Sequence, residues 1–191
     1  MNEEREAGVV GLIERALAGR DARHVMQFGC SEATGGLVRL TRRLGRLTCL
    51  SVVEHDPERL RRLLMDQSSG WAEPKVSFSA AAAVLRVIDG EARTVYCPEE
   101  IVPASLAPAD AIVIEGPPAG LGGRAGMVAQ ALTFSRAGTV IVLPGLDAGE
   151  RAGVMAFVGQ RRELVDWADT PGGALVAMGA LPAGWLSEVG G

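Results

Sequence analysis

The sequence is short of several residue types, and each shortage excludes a class of protein. Lysine occurs once, as Lys75, and the formal net charge is −4, so no overall basic field attracts nucleic acid. The three cysteines, Cys30, Cys49 and Cys97, are too few and too scattered for a disulfide framework or a zinc site. Aromatic residues make up only 4% of the chain, and the scattered tryptophans form no stacking platform for single-stranded nucleic acid. We therefore expect no nucleic-acid partner.

Long apolar runs are also missing. No stretch approaches the ~20 apolar residues that a membrane-spanning helix requires. The first ten residues, MNEEREAGVV, are acidic and lack the basic-then-apolar order of a signal peptide. These features predict a cytoplasmic protein with free thiols and no membrane partner. The abundance of arginine, alanine and glycine is typical of a bacterial protein from a GC-rich genome.

The residues that are present predict a single α/β domain. Hydrophobic residues make up 48% of the 191 residues, which is enough to bury a full core. Short β-type runs alternate with helix-type segments, the pattern of a parallel sheet covered on both faces. We predict a doubly wound, Rossmann-like domain over residues 1–182, with a leading helix at 7–18 and a C-terminal tail at 183–191.

Individual elements follow from local patterns. Helices are predicted at 35–44 and 127–134 from their apolar spacing, and Asp56 and Pro57 provide an N-cap and first residue for another. Strands are predicted at 24–28, 47–54 and 75–78, within 109–118, in GTVIVLPG, and in a closing hairpin at 163–167 and 174–178. The alanine-rich stretch 80–88 is expected to be helical, followed by a short extra strand in RTVYCP.

The loop after the first strand, FGCSEATGG, is the first of three strand ends at which a ligand could bind. Ligands of open parallel sheets bind beyond the carboxyl ends of the strands. Gly29 allows a sharp turn, the small Ser31, Ala33 and Thr34 leave room, and the next helix presents free N–H groups. Only one glycine of a G-x-G-x-G pattern is present, so an ordinary strand-to-helix turn is the alternative interpretation.

Two acids end the other strands. Glu54 follows Gly29 by about 25 residues, close to the ~20-residue offset at which an acid meets ribose hydroxyls in nucleotide sites. A carboxylate suits this task because it accepts hydrogen bonds from both vicinal hydroxyls. Glu115 ends the later apolar run. For both acids the alternative is a solvated side chain at a strand end.

At these segments the sequence resembles the cofactor half of the class I S-adenosylmethionine-dependent methyltransferases. The resemblance spans residues 25–143 and is carried by SVVEHDPE and IVIEGPP, with the loop FGCSEATGG in a thinned form. It implies a mostly parallel, seven-stranded sheet and S-adenosylmethionine as cofactor. The cofactor contacts it implies come from the three strand ends: Gly29, Cys30, Ser31, Thr34, Glu54, His55, Asp56 and Glu115.

The resemblance also implies separate roles within this set. Gly29 and the backbone after it approach the methionine part, Glu54 takes the ribose hydroxyls, and His55 and Asp56 border the adenine. Glu115 faces the methyl-transfer cleft, where the family usually has aspartate. The segment SFSAAAA offers no acid or amide to the adenine, and after the fifth strand, in LPGLDAGE, Asp147 alone is a poor oxygen cage for magnesium or calcium. We therefore expect no catalytic metal.

The predicted function is methyl transfer to a small-molecule acceptor. Transfer from a sulfonium is an in-line displacement, so the protein contributes mainly by positioning the reactants. A hydroxyl acceptor needs a base, for which Glu115 and His55 are the candidates, whereas His24 at a strand start favours a structural role. The alternative is a catalytically inactive, methyltransferase-like binding or dimerisation module. A homodimer is left open, and a domain for another nucleotide is the weakest interpretation because G-x-G-x-x-G is missing.

Overall fold

Strands and helices alternate in a computed structural model that describes residues 2–44, 49–66, 75–158, 164–170 and 173–178. The helices in these ranges are α1 (Asn2–Leu17), α2 (Ala33–Leu44), α3 (Pro57–Asp66), α4 (Ala125–Thr133) and α5 (Ala148–Val158). The strands are β1 (His24–Phe28), β2 (Cys49–Glu54), β3 (Lys75–Ala80), β4 (Ala83–Ile88), β5 (Glu91–Tyr96), β6 (Ala111–Ile114), β7 (Val140–Leu143), β8 (Leu164–Thr170) and β9 (Gly173–Met178). No helix of the described ranges has the length and apolarity to cross a membrane.

Seven strands form one sheet in the order β3-β2-β1-β6-β7-β9-β8. The first five strands run parallel. The β8–β9 hairpin closes the sheet, with β9 antiparallel to both β7 and β8. Strand order reverses between β1 and β6, which is where open α/β sheets bind ligands. The prediction of a doubly wound, mostly parallel, seven-stranded sheet is confirmed, as is its closing hairpin.

Alternate side chains of the central strands enter two apolar layers. Val25 of β1 and Val113 of β6 pack with α1 and α2 on one face. Met26 and Phe28 of β1 pack with α4 and α5 on the other. Residues on a strand point to opposite faces in turn, so a strand buried on both sides has the continuous apolar sequence seen here.

The prediction of a helix at 80–88 is wrong: Ala80 ends β3, and Ala83–Ile88 form strand β4. It forms a two-stranded antiparallel ribbon with β5, in which Ile88 pairs with Glu91 across a two-residue turn. Both turn residues, Asp89 and Gly90, have positive φ angles (53° and 79°), and Asp-Gly is a strong hairpin signal. The β-branched residues before the turn outweigh the helix propensity of the alanines.

Helix starts are set by two aspartates. The prediction of Asp56 as an N-cap is confirmed, because its Oδ1 accepts hydrogen bonds from the amides of Glu58 (2.9 Å) and Arg59 (3.2 Å). The sequence analysis did not predict α5, although Asp147 caps it by accepting from the Glu150 amide (2.8 Å). The predicted tail at 183–191 lies outside the described residues.

A polar network centred on His24 joins the amino ends of β1, β2 and β6. His24 is buried, and its Nδ1 donates to the Ala107 carbonyl (3.0 Å) while Nε2 lies 2.8 Å from the Ser51 hydroxyl. Because Nδ1 carries the proton, Nε2 accepts from Ser51, whose oxygen accepts in turn from the Ala104 amide (2.8 Å). Burial lowers the pKa of His24. This network supports the predicted structural role of His24.

Candidate functional site

The carboxyl ends of β1 and β6 meet at the switch point through two glycines. Gly29 has a φ of +87°, and a Cβ built on it would lie 2.5 Å from the Gly116 nitrogen. Only glycine therefore fits at position 29, both for its backbone conformation and for the contact between the two loops. The Gly29 amide donates to the Val53 carbonyl (2.7 Å), which fastens this turn to the end of β2 as well.

Glu54 is completely buried at the end of β2 and ties the surrounding loops together. Its Oε2 accepts a hydrogen bond from the Cys30 amide (2.7 Å), in the loop after β1. Its Oε1 accepts from the amides of His55 (2.8 Å) and Asp56 (3.0 Å). The resemblance implies that this acid binds the ribose hydroxyls. The structure places it beside the loop after β1.

His55 lies directly over the Glu54 carboxylate. Its Nδ1 is 2.7 Å from Glu54 Oε1, so Nδ1 carries a proton and donates it. The imidazole stacks on Tyr96, with ring centroids 6.0 Å apart and an interplanar angle of 21°, and Tyr96 stacks on Phe28 in the same way (6.0 Å, 27°). The His55 side chain is 19% exposed, so it forms the outer member of this three-ring stack.

A second polar cluster lies beside the β1 turn. Glu115 Oε2 accepts hydrogen bonds from Gln27 Nε2 (2.6 Å) and from the Ser31 hydroxyl (2.5 Å). Ser31 is held in place because its Oγ also accepts from the Ala33 amide (3.0 Å) and its own amide donates to the Thr34 hydroxyl (3.0 Å). The structure thus brings Glu115 and Ser31 together, whereas the hydroxyl of buried Thr34 shapes the loop.

Gln27 is an unusual residue for the centre of a parallel sheet. It is completely buried, and within the described part of the chain its Oε1 has no hydrogen-bond partner. Buried amide oxygens are nearly always paired, and an unpaired one costs about 1–3 kcal/mol. An unpaired acceptor beside the Glu115 carboxylate is therefore suited to a donor that comes from a ligand.

Cys30 lies at the site, and its surroundings keep the thiol protonated. Its location before a helix could lower the thiol pKa, but burial and the neighbouring Glu54 carboxylate raise it instead. Burial likewise raises the pKa of Tyr96, whose hydroxyl stays protonated. The Asp56 side chain caps α3, so only the main chain of Asp56 contributes to the site, through its amide hydrogen bond to Glu54.

The sequence analysis missed two residues of this site, Gln27 and Tyr96. A single polar residue inside the apolar run VMQF was the available signal for Gln27. Tyr96, the only tyrosine of the chain, is the last residue of β5. A strand in RTVYCP was predicted, but its pairing with β4 in a ribbon was not. The Tyr96 amide and carbonyl are both bound by the buried Gln130 of α4 (2.9 and 2.6 Å), which fixes the ring position.

The acids after β7 are engaged elsewhere. Asp147 caps α5, and Glu150 forms an ion pair with buried Arg124 (2.5 Å). In the ranges that the structure describes, no group of three or more histidine, cysteine, aspartate and glutamate side chains could hold a metal ion.

Several solved structures that align with this chain are methyltransferases. A precorrin-6y C5,15-methyltransferase from Geobacter metallireducens aligns over 90% of this chain and 88% of its own, with a TM-score of 0.60 and 15% identity. An O-methyltransferase from Bacillus cereus, solved with S-adenosylhomocysteine (SAH), aligns over 93% and 81% with a TM-score of 0.58 and 14% identity. The chain has the class I methyltransferase fold.

Within this fold, sequence similarity is low. The O-methyltransferase TomG from Streptomyces achromogenes, solved with S-adenosylmethionine, aligns over 93% of this chain and 80% of its own at 17% identity and a TM-score of 0.57. No protein-family model matches the sequence, and no curated protein matches it significantly. The likeness therefore establishes the methyltransferase fold of this chain, and its chemistry has to be argued from the site.

Proposed function

We propose that this protein is a cytoplasmic methyltransferase that uses S-adenosylmethionine to methylate a small molecule without a metal. The observation that carries the proposal is the pair of acids, Glu54 and Glu115, at the carboxyl ends of two strands that flank β1. Methyltransferases of the same fold, among them the Bacillus cereus protein, were solved with this cofactor or its product. Glu115 is placed to bind the methionine half of such a molecule and Glu54 its nucleoside half, with the glycine turn between them.

The methionine half fits the cluster around Gln27. Its ammonium group is a cation with three N–H donors, and Glu115 and the unpaired Gln27 Oε1 are neighbouring acceptors. Gly29 and Gly116 allow the two loops to pack against each other, with the Tyr96 hydroxyl beside Gly116, and this packing holds Glu115 next to the β1 turn. Because Glu115 accepts two hydrogen bonds as a carboxylate, we assign it to cofactor binding rather than to proton abstraction.

The nucleoside half fits the end of β2. Glu54 would accept the ribose hydroxyls, and its orientation is fixed beforehand by the amides of Cys30 and Asp56. When bound, the cofactor supplies a methyl group on a positively charged sulfur, which needs no metal for activation. The protein's part is then to hold donor and acceptor in line and exclude water, and such positioning supplies up to ~7–11 kcal/mol in favourable cases.

Titration calorimetry with S-adenosylmethionine and SAH tests the proposal. We expect micromolar binding, and we expect Glu54→Ala to weaken it by about 10–100-fold, because hydrogen bonds to a charged group contribute about 1.5–3 kcal/mol. Glu58→Ala is the matched control, since it removes an exposed acid of α3 near the site.

Glu54→Ala also removes the acceptor of three amides, so its fold must be checked by circular dichroism and thermal unfolding. Glu54→Asp, which keeps the charge on a shorter side chain, should bind with intermediate affinity. If neither compound binds wild type or any site variant at millimolar concentration, the proposal fails and the inactive binding module is favoured.

A further inference from the structure

The Glu54 carboxylate has little capacity left for a ligand. A carboxylate offers about four lone-pair sites in all. Oε1 already accepts from the amides of His55 and Asp56 and from the His55 imidazole, while Oε2 accepts from the Cys30 amide. These donors already fill that capacity, so at least one of them has to leave before a ribose hydroxyl can bind in the expected way.

Of these donors, only the His55 imidazole is a side chain. The Cys30 thiol also interacts with Glu54, but it is a weak donor and is buried in the core. The three amides belong to the loops that shape the site and cannot leave without unfolding them. The imidazole is held by its Nδ1 contact and by the stack on Tyr96, and the Tyr96 hydroxyl, 3.5 Å away, adds at most a weak contact. A rotation about the side-chain bonds of His55 would remove the third donor from Oε1 and leave the backbone amide of His55 in place.

The contacts of His55 are of the two kinds that a nucleoside makes. A flat heteroaromatic ring stacks on an aromatic side chain, as a base does, and an attached N–H donates to the acid that would receive a ribose hydroxyl. His55 covers an acid that is itself completely buried. Arg59 also lies near Glu54, with its Nε 4.0 Å from Oε2, so the acid keeps a neighbouring positive charge when the ring leaves.

From this geometry we infer that His55 is an internal stand-in for the nucleoside, which lowers cofactor affinity until the cofactor displaces it. The inference rests on the proposed function and adds to it a residue that sets affinity. The open arrangement, with the imidazole turned away, is the one that binds. The apparent dissociation constant is therefore the intrinsic one divided by the fraction of molecules in that arrangement.

Removal of the imidazole is the direct test. We expect His55→Ala to bind both SAH and adenosine about tenfold more tightly than wild type, as if one molecule in about ten were open. Adenosine is included because the displaced contacts belong to the nucleoside alone. Arg61→Ala, on the exposed side of α3, is the matched control and should leave both affinities unchanged.

Imidazole resonances of the wild-type protein give a second readout that needs no variant. The chain has only two histidines, and His24 lies buried at the opposite end of the sheet, where it serves as an internal reference. Addition of adenosine should shift the His55 signals strongly and leave those of His24 in place.

The outcomes separate this inference from the proposed function. Equal or weaker binding by His55→Ala, with wild type binding normally, would overturn the stand-in and leave the cofactor proposal intact. A gain for SAH without a gain for adenosine, or unmoved His55 resonances at saturation, would overturn it as well. Binding by His55→Ala alone would support it strongly. No binding by either protein would overturn both proposals together.

Discussion

The two ends of the parallel sheet each hold one of the chain's two histidines, but their polar groups are arranged differently. At the amino end, the His24 ring and Ser51 are matched donor to acceptor, and Asp110 Oδ2 accepts from the amides of Arg23 (2.7 Å) and His24 (3.0 Å). At the carboxyl end, Gln27 has an unpaired oxygen and Glu54 has more donors than it needs. The first arrangement is that of a structural network, and the second is where we propose that the cofactor binds.

The largest expected effect of this difference is at Asp110. Asp110→Ala leaves two amides at the edge of the core without an acceptor and removes the partner of the Arg136 guanidinium, so we expect a loss of about 2–4 kcal/mol. SAH affinity of the folded fraction should stay unchanged. Urea unfolding followed by tryptophan fluorescence measures the loss. Asp110→Asn, which keeps one acceptor, should lose less, and a weaker ligand affinity in either variant would contradict the division between the two ends.

A smaller effect is expected from the titration of His24. Burial lowers its pKa in the folded protein from the ordinary value of 6.5, although the Ala107 carbonyl and Asp110 oppose the shift. Its contribution to stability is therefore complete above pH 6.5 and is lost as the pH falls toward the folded pKa. Asp110 acts in a lower range: burial alone would raise its pKa, but the amides of Arg23 and His24 and the Arg136 guanidinium lower it below 3.8.

Urea unfolding at several pH values between 5 and 8 checks this expectation. Wild type should lose stability below pH 6.5, and His24→Gln should show a flatter profile. Arg61→Ala, on the exposed side of α3, is the control and should keep the wild-type slope. If the stability of His24→Gln depends on pH as steeply as that of wild type, another group is responsible for the titration.

The smallest expected effect on stability is at Gln27. Gln27→Leu removes an unpaired buried oxygen together with the hydrogen bond from Nε2 to Glu115. Because the gain and the loss oppose each other, the free energy of unfolding should change by less than about 1 kcal/mol. SAH affinity should fall about tenfold if Gln27 accepts from the ligand, since a hydrogen bond to a charged group contributes about 1.5 kcal/mol or more. Calorimetry and urea unfolding on the same samples give both numbers.

Gln130→Leu provides the contrast for that experiment. Gln130 is also a buried glutamine, but both ends of its amide are bound by the Tyr96 main chain. Its replacement should cost about 2 kcal/mol or more of stability, because two buried backbone groups lose their partners. Equal stability losses in the two variants would show that Gln27 is as structural as Gln130.

Local sequence was sufficient for most of the sheet. The run AIVI is apolar throughout because both faces of β6 are covered, and Asp56-Pro57 marks a helix start through side-chain and φ preferences that need no tertiary contact. Gly29, Glu54 and Glu115 were predictable for the same reason, since each lies at the end of such a run. Their meeting at one edge followed from the parallel arrangement alone.

The remaining features depend on contacts between distant parts of the chain. Gln27 and Glu115 are 88 positions apart, and nothing local shows that the amide would have one bonded and one free end. The ribbon that replaces the helix at 80–88 is stabilised by packing against α4, which no window of local propensity includes. Tyr96 was missed with it, and so was the ring stack under His55.

The Asp89-Gly90 turn has an effect well beyond its own position. Side chains of β5 alternate between the two faces of the ribbon, so the length of this turn decides which of them face the core. Tyr96 lies at the far end of β5, so the length of the turn also decides which face its side chain occupies. The surface on which a base would rest is thus aligned by two exposed residues remote from it, and one residue more or less in that turn would present a different side chain to the cofactor.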